Sequence, residues 1–118
     1  MPLVVVARNP KVISDRLLSV ITKNLPSIVA SALDCDDEGG SLTSRDVEVW
    51  VQDFGPNDIN TKDLEIVVWA NQYPQRLRHL NARRADIVSE IRSIRGAARS
   101  NFTGFVWVLL QPASFGEI

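Results

Sequence analysis

The sequence contains the same pattern twice: an apolar strand-like segment, a longer amphipathic segment and a second strand-like segment. The segment Val4 to Pro10 is echoed by Val67 to Pro74, and the segment Val47 to Phe54 has a counterpart in Phe105 to Pro112. The order and spacing of these segments agree. The repeat therefore predicts two β-α-β units, at about residues 1–55 and 62–118, within a single domain.

Helical periodicity fills the middle of each unit. The first helix is predicted from about Val12 to Leu33, with a kink or break before Pro26, because proline removes a backbone donor. The second is predicted from about Arg76 to Ile94, with Gly96 as its stop signal. Both segments are amphipathic, so one face of each is expected to lie on the sheet.

The strands themselves indicate how the layers stack. Continuous apolar runs from Leu3 to Ala7 and from Ile66 to Ala70 are typical of central strands that are shielded on both faces. Two helices in a chain of 118 residues cover only one face of a four-stranded sheet. We therefore expect an α/β fold, a four-stranded mixed sheet with two helices on one face, whose other face is covered by self-association.

Composition excludes several classes of function. Cys35 and His79 are the only residues of their types, so a disulfide framework, a cysteine or histidine metal site and a Ser-His-Asp triad are not expected. The arginine-rich segment 76–99 is interrupted by Asp86 and Glu90 and lacks interleaved aromatic residues, which argues against nucleic acid. Nothing resembles a signal peptide or a membrane span, so a cytoplasmic protein with no membrane partner is expected.

Pro2 is the residue with the clearest chemical potential. An initiator methionine followed by proline is normally removed, which would leave a secondary amine at the start of an apolar strand. A terminal amine titrates near ~8, and both burial and neighbouring cations lower that pKa by disfavouring the charged form. Pro2 is therefore a candidate base that needs no metal and no cofactor.

With Pro2 and the repeat in place, the sequence resembles the tautomerase superfamily over nearly its whole length. Its two-unit length is most similar to 5-carboxymethyl-2-hydroxymuconate isomerase and malonate semialdehyde decarboxylase. Supporting short similarities are Lys23 to Pro26, Leu42 to Arg45, and Ser114 to Gly116.

The resemblance implies a cofactor-independent tautomerase or isomerase that assembles as a homotrimer. Its substrate would be a small 2-oxo or 2-hydroxy acid, in which the neutral Pro2 amine moves a proton. Arg45 and Arg76 match positions where the family carries arginines, so they are expected to contact the substrate carboxylate and the developing enolate. Arginine suits this role because its planar fork binds carboxylates bidentately.

Further residues are expected to complete the site. Arg78 is the alternative to Arg76, and Lys11 lies near the family's arginine after the first strand, with Arg8 as its possible replacement. Phe115 is the preferred apolar wall. Other candidate walls are Trp50, Phe54 and Trp107, although core or subunit contacts suit Trp50 and Trp107 better.

Two other functions fit the same scaffold. A protonated Pro2 could assist decarboxylation or hydration, and the oligomer could be a noncatalytic binding or assembly protein. Catalysis that depends on Pro2 separates the enzymatic alternatives from the last one.

Overall fold

Four strands and three helices follow one another along the chain. The computed structural model describes residues 1–118. Its strands are β1 (Leu3–Arg8), β2 (Glu48–Asp53), β3 (Leu64–Asn71) and β4 (Gly104–Gln111). Its helices are α1 (Asp15–Leu33), α2 (Pro74–Arg78) and α3 (Leu80–Ala97), and a short 3-10 turn covers Ser44–Asp46.

The strands form one mixed sheet in the order β2-β1-β3-β4. β1 runs parallel to β2, β3 runs parallel to β4, and the two central strands β1 and β3 are antiparallel. Each parallel pair is connected through helix, as a β-α-β unit requires. The predicted α/β fold of two such units is therefore confirmed.

The helices cover one face of this sheet. Alternate residues of the central strands, including Val4, Val6, Ile66 and Val68, are fully buried. They share one core cluster with α1 and α3 residues such as Ile21 and Ile87. Because alternate side chains of a strand point to the same face of the sheet, these residues face the helices.

The opposite face of the sheet carries large apolar side chains without a covering layer. Register aligns Trp50, Val5, Val67 and Trp107 across the four strands. Trp50 and Trp107 are 58% and 51% exposed. We call this the open face; its apolar residues are Leu3, Val5, Trp50, Val67, Trp69, Phe105, Trp107 and Leu109. Trp50 and Trp107 therefore lie outside the core of this chain.

The first helix differs from the prediction at two points. It begins at Asp15, where Ser14 accepts a hydrogen bond from the Leu17 N–H at 3.2 Å, and it continues through Pro26 without a break. Leu25 and Val29, on either side of the proline, are fully buried. Their packing holds the helix together where one backbone hydrogen bond is lost.

The second helix differs more. The predicted single helix is divided at His79 into α2 and α3, and α3 continues through Gly96 to Ala97. The left-handed residue that follows is Arg99, with φ 53°. Hydrogen bonds from Arg99 N to Gly96 O and from Ser100 N to Arg95 O close the end. The expected stop at Gly96 was therefore wrong.

Arg99 offers a direct test of this helix end. An L residue in the left-handed region costs about 1 kcal/mol or more, whereas glycine adopts it freely. Arg99→Gly is expected to raise the free energy of unfolding by about 0.5–1 kcal/mol in urea titrations. The matched control Arg92→Gly, inside α3, should lower it by about 1 kcal/mol. A loss of stability in both variants would contradict this account of the helix end.

Candidate active site

A cavity of about 260 Å³ lies at the end of the sheet where β1 begins and where β3 and β4 end. Because β1 is antiparallel to β3, the chain start meets the carboxyl ends of the other two strands there. The lining residues are Met1, Leu3, Trp69, Ala70, Asn71, Gln111 and Ala113. We call this space the N-terminal cavity.

Pro2 is buried beside this cavity. Its carbonyl accepts a hydrogen bond from the Glu48 N–H at 3.1 Å, which ties the start of β1 to β2. Its nitrogen is bonded to Met1, which lines the cavity. Pro2 itself is not among the lining residues, but it lies between Met1 and Leu3, which both line the cavity.

The surroundings favour a neutral amine at this end of the chain. Burial lowers the pKa of the N-terminal amine of Met1 below its ordinary value of 8.0, and the positive charge of Arg76 lowers it further. The carboxylate of Asp46 opposes this effect. Pro2, the next residue, is buried, whereas Met1 is exposed.

Arg76 is held by the backbone of three separate segments. Its side chain donates to Leu33 O at 2.7 Å, to Asn71 O at 3.0 Å and to Gly40 O at 3.0 Å. It is only 2% exposed, and its guanidinium stacks on the Tyr73 ring at 4.8 Å. Burial lowers the pKa of Arg76 from its ordinary high value. The residue thus holds the backbone around the cavity and carries a buried positive charge.

The segment that contains Arg76 also fixes the loop after α1. Gln75 accepts from the Asp36 N–H and its own N–H donates to Asp37, while the Tyr73 hydroxyl donates to Gly39 O. These contacts join positions that are 34 to 39 residues apart in sequence. The loop is therefore fastened to the end of β3, beside the N-terminal cavity.

Arg45 lies at the same end of the sheet as Pro2. It sits in the 3-10 turn before β2, and β2 pairs with β1 from Glu48 opposite Leu3. The neighbouring Asp46 carboxylate accepts hydrogen bonds from Thr43, at 2.7 Å from its N–H. Arg45 is exposed and forms no ion pair, so its charge is free to meet an anion.

Arg78 and Phe115 are also at this end, but neither lines the cavity. Arg78 ends α2 and is exposed without an ion pair. Phe115 is 69% exposed and lies two residues beyond Ala113, which does line the cavity. Phe115 therefore lies close to the N-terminal cavity in sequence but does not form part of its wall.

Within one chain, Arg8 and Lys11 lie far from Pro2. Arg8 ends β1, about 20 Å from Pro2 at the usual rise per residue. Its guanidinium forms ion pairs with Asp15 at 2.6 Å and Asp53 at 2.8 Å. The hydrogen bond to Asp53 raises the pKa of Arg8 most, and the hydrogen bond to Asp15 raises it further. Lys11 follows in the next turn, so both cations lie at the far end of the sheet from the N-terminal cavity.

Three of the lining residues, Trp69, Asn71 and Gln111, were not predicted from the sequence. Asn71 and Gln111 are register partners at the carboxyl ends of β3 and β4, and neither side-chain amide has a hydrogen-bond partner within the chain. The available signal was a carboxamide that ends the apolar strand of each repeat. The aromatic residue that lines the cavity is Trp69, whereas the preferred candidate Phe115 and the further candidate Phe54 do not line it.

Nowhere do three or more histidine, cysteine, aspartate or glutamate side chains come together as a metal ion would require. No helix is long and apolar enough to cross a membrane.

Comparisons with known proteins identify the fold. No family model matches the chain, and no curated protein matches it. Among solved structures, native Ps01740 is 20% identical over 98% of this chain and 99% of its own, with a TM-score of 0.60. A fused 4-OT described as a symmetric trimer is 14% identical over 93% and 85%, with a TM-score of 0.59. MIF2 of Leishmania major is 13% identical over 98% and 93%, with a TM-score of 0.56.

At these identities the likeness concerns the fold. 4-OT and MIF2 are tautomerase-superfamily proteins. The chain therefore has the β-α-β fold found in the tautomerase superfamily, as its sequence predicted.

The anchoring role of Arg76 can be tested by stability. Arg76→Met keeps the length of the side chain but leaves three backbone carbonyls without their donor, so the free energy of unfolding should fall by about 3 kcal/mol or more. The control Arg78→Met, at an exposed position of the same helix, should change it by less than about 0.5 kcal/mol. Equal urea midpoints for the two variants would show that Arg76 does not hold this region.

Proposed function

We propose that the protein is a cofactor-independent tautomerase or isomerase acting on a small carboxylated carbonyl compound, a 2-oxo or 2-hydroxy acid. The amine of Pro2, freed by removal of Met1, takes a proton next to the carbonyl and returns it elsewhere on the substrate. The observation that carries this proposal is a buried Pro2 beside a cavity, in surroundings that lower the pKa of the terminal amine.

The surroundings that lower the pKa of the Met1 amine bear on two possible uses of a Pro2 amine. A base must be neutral to accept a proton, and burial together with the charge of Arg76 favours the neutral form. A decarboxylase or hydratase that depends on protonated Pro2 would need surroundings that raise the pKa. The environment therefore supports isomerisation ahead of decarboxylation or hydration.

The carboxamides of Asn71 and Gln111 suit the enolate oxygen that forms during proton transfer. Each amide carries two N–H donors, and both line the cavity at the ends of neighbouring strands. Hydrogen-bond donors that meet a developing negative charge stabilise the transition state more than the ground state.

The arginines then divide their roles. Arg76 is a positioning residue, because its side chain is buried on three carbonyls and acts on the amine through its charge. The substrate carboxylate is assigned to Arg45 and Arg78, which are exposed at this end of the sheet. Arg8 and Lys11 could contribute only to the site of a neighbouring copy.

The base can be tested with ketonisation of phenylenolpyruvate or 2-hydroxymuconate. Removing a general base typically costs about 10²–10⁴ in rate, so Pro2→Ala should lower kcat/KM by about 10² or more. Pro10→Ala, at the far end of β1, is the control and should leave kcat/KM unchanged. Equal rates for Pro2→Ala and the unmodified protein would eliminate Pro2 as the base, and the absence of activity in both would favour a noncatalytic protein.

An N-terminal extension provides a second comparison with the same side chains. With any residue attached, the Pro2 nitrogen is an amide and cannot accept a proton at neutral pH. Intact mass should show a processed chain that begins at Pro2, and only that form should be active. Activity in a chain shown by mass to retain Met1 would contradict the proposed mechanism.

We propose that the chain assembles as a homotrimer with its open faces packed inward. The support is the row formed by Trp50, Val5, Val67 and Trp107, too extensive an apolar surface to remain in water. A fused 4-OT of the same fold is described as a symmetric trimer. Packing three such sheets would leave the helices outside.

A charge on the open face tests the assembly. Val67→Lys places an ammonium group at the centre of that face, where burial against another chain would cost several kcal/mol. Sedimentation should therefore show trimers for the unmodified protein and smaller species for this variant. Val20→Lys, on the exposed side of α1, is the matched control and should remain trimeric. A monomer in all three samples would refute the assembly.

A further inference from the structure

A second cavity, of about 110 Å³, lies between α3 and the first residues of β3 and β4. Seven apolar residues line it, together with Gly104 and two arginines. The apolar residues are Leu64, Ile66, Val88, Ile91, Phe102, Phe105 and Val106. We call it the α3 cavity.

Two arginines, Arg92 and Arg95, line this space together with the apolar side chains. The ion pairs of the structure all belong to Arg8, so neither of these arginines is matched by a carboxylate. Arg95 donates to Phe102 O at 3.1 Å and lies over the Phe102 ring at 5.8 Å, which fixes its orientation. Arg92 is exposed and has no hydrogen-bond partner in the chain. The site therefore combines an apolar interior with two uncompensated cations.

The α3 cavity is separate from the N-terminal cavity. It lies at Leu64 and Gly104, where β3 and β4 begin, whereas Asn71 and Gln111 at the other end of these strands line the N-terminal cavity. Seven residues of extended strand span about 23 Å. A ligand in the α3 cavity would therefore not contact Pro2.

We propose that the α3 cavity is a binding site for a small aryl monocarboxylate. Its ring occupies the apolar space, and its carboxylate accepts hydrogen bonds from Arg92 and Arg95. An apolar cavity of about 150 Å³ holds one benzene molecule, so 110 Å³ is on the scale of a single ring seated partly within an open site.

The chemistry of the lining selects among ligands. A neutral apolar molecule would reduce the hydration of two cations without compensating their charge, which costs free energy. A dicarboxylate of similar size would place its second charge among Ile91, Phe102 and Val106, with no donor there to meet it. One ring with one carboxylate satisfies both parts of the site, and the guanidinium fork accepts a carboxylate bidentately.

Benzoate and benzyl alcohol are matched probes for this site, because they share the ring and differ in charge. NMR titration of the full-length protein should give saturable shifts of the Val88 and Ile91 methyl groups with benzoate, at a dissociation constant on the order of 1 mM. Benzyl alcohol should bind about tenfold more weakly, since it lacks the charge-assisted hydrogen bonds.

Variants separate the ring from the charge. Arg92→Gln, at an exposed position, and Arg95→Met should each weaken benzoate by about tenfold and leave benzyl alcohol unchanged. Val88→Phe should fill the cavity and prevent the binding of both probes. Arg84→Gln, on the same helix but outside the lining, is the control and should bind benzoate normally.

Three results would overturn the proposal. They are the absence of saturable shifts at Val88 and Ile91, equal affinity for the two probes, and benzoate binding that Arg92→Gln and Arg95→Met both leave intact. Shifts confined to Trp69 and Asn71 would place benzoate in the N-terminal cavity instead, and would also count against it. Because the readout is binding at α3, its failure is distinct from a failure of the Pro2 mechanism.

Discussion

The guanidinium of Arg76 joins parts of the chain that sequence keeps far apart. It binds a carbonyl at the end of α1, another at the end of β3 and a third in the loop after α1. Burying a cation without a carboxylate is costly, and here the cost is offset by three hydrogen bonds and by stacking on Tyr73. The helix end benefits in addition, because α1 has no basic residue in its last turn, and Arg83 and Arg76 supply donors to its final carbonyls. The geometry around the N-terminal cavity depends on this one side chain.

The same buried charge connects the fold to the proposed chemistry. A cation held close to the chain start, with little water around it, makes protonation of an amine there less favourable. A lysine could not replace it fully, since an ammonium group has no planar fork to reach three carbonyls in different directions. One group thus anchors the backbone and lowers the pKa of the amine at the chain start, and a substitution at Arg76 would change both.

The repeat and the strands could be predicted because a continuous apolar run marks each central strand, at positions 3–7 and again at positions 66–70. Boundaries that depend on tertiary contacts could not. Pro26 should have ended α1, but burial of Leu25 and Val29 carries the helix past it. Pro2, Arg45 and Arg76 share one end of the sheet, whereas the placement of Arg8 at the other end follows from strand direction. The hydrogen bonds of Arg76 to three carbonyls could not be predicted from the sequence, because the partners are backbone atoms up to 43 residues away along the chain.

Duplication gives the two halves similar folds but chemically unequal ends. β1 begins next to the chain terminus, where an amine can exist. The corresponding start of β3 follows Asp63 in mid-chain, where the backbone nitrogen is an amide. Asp63 instead accepts hydrogen bonds from the Thr103 N–H at 2.9 Å and hydroxyl at 3.1 Å, which ties β3 to the segment before β4. The first unit has the candidate base Pro2 before its first strand, whereas the second unit has a carboxylate that ties two segments together. The α3 cavity lies at this second end, so any ligand it binds must be recognised by apolar contact and by the charges of Arg92 and Arg95.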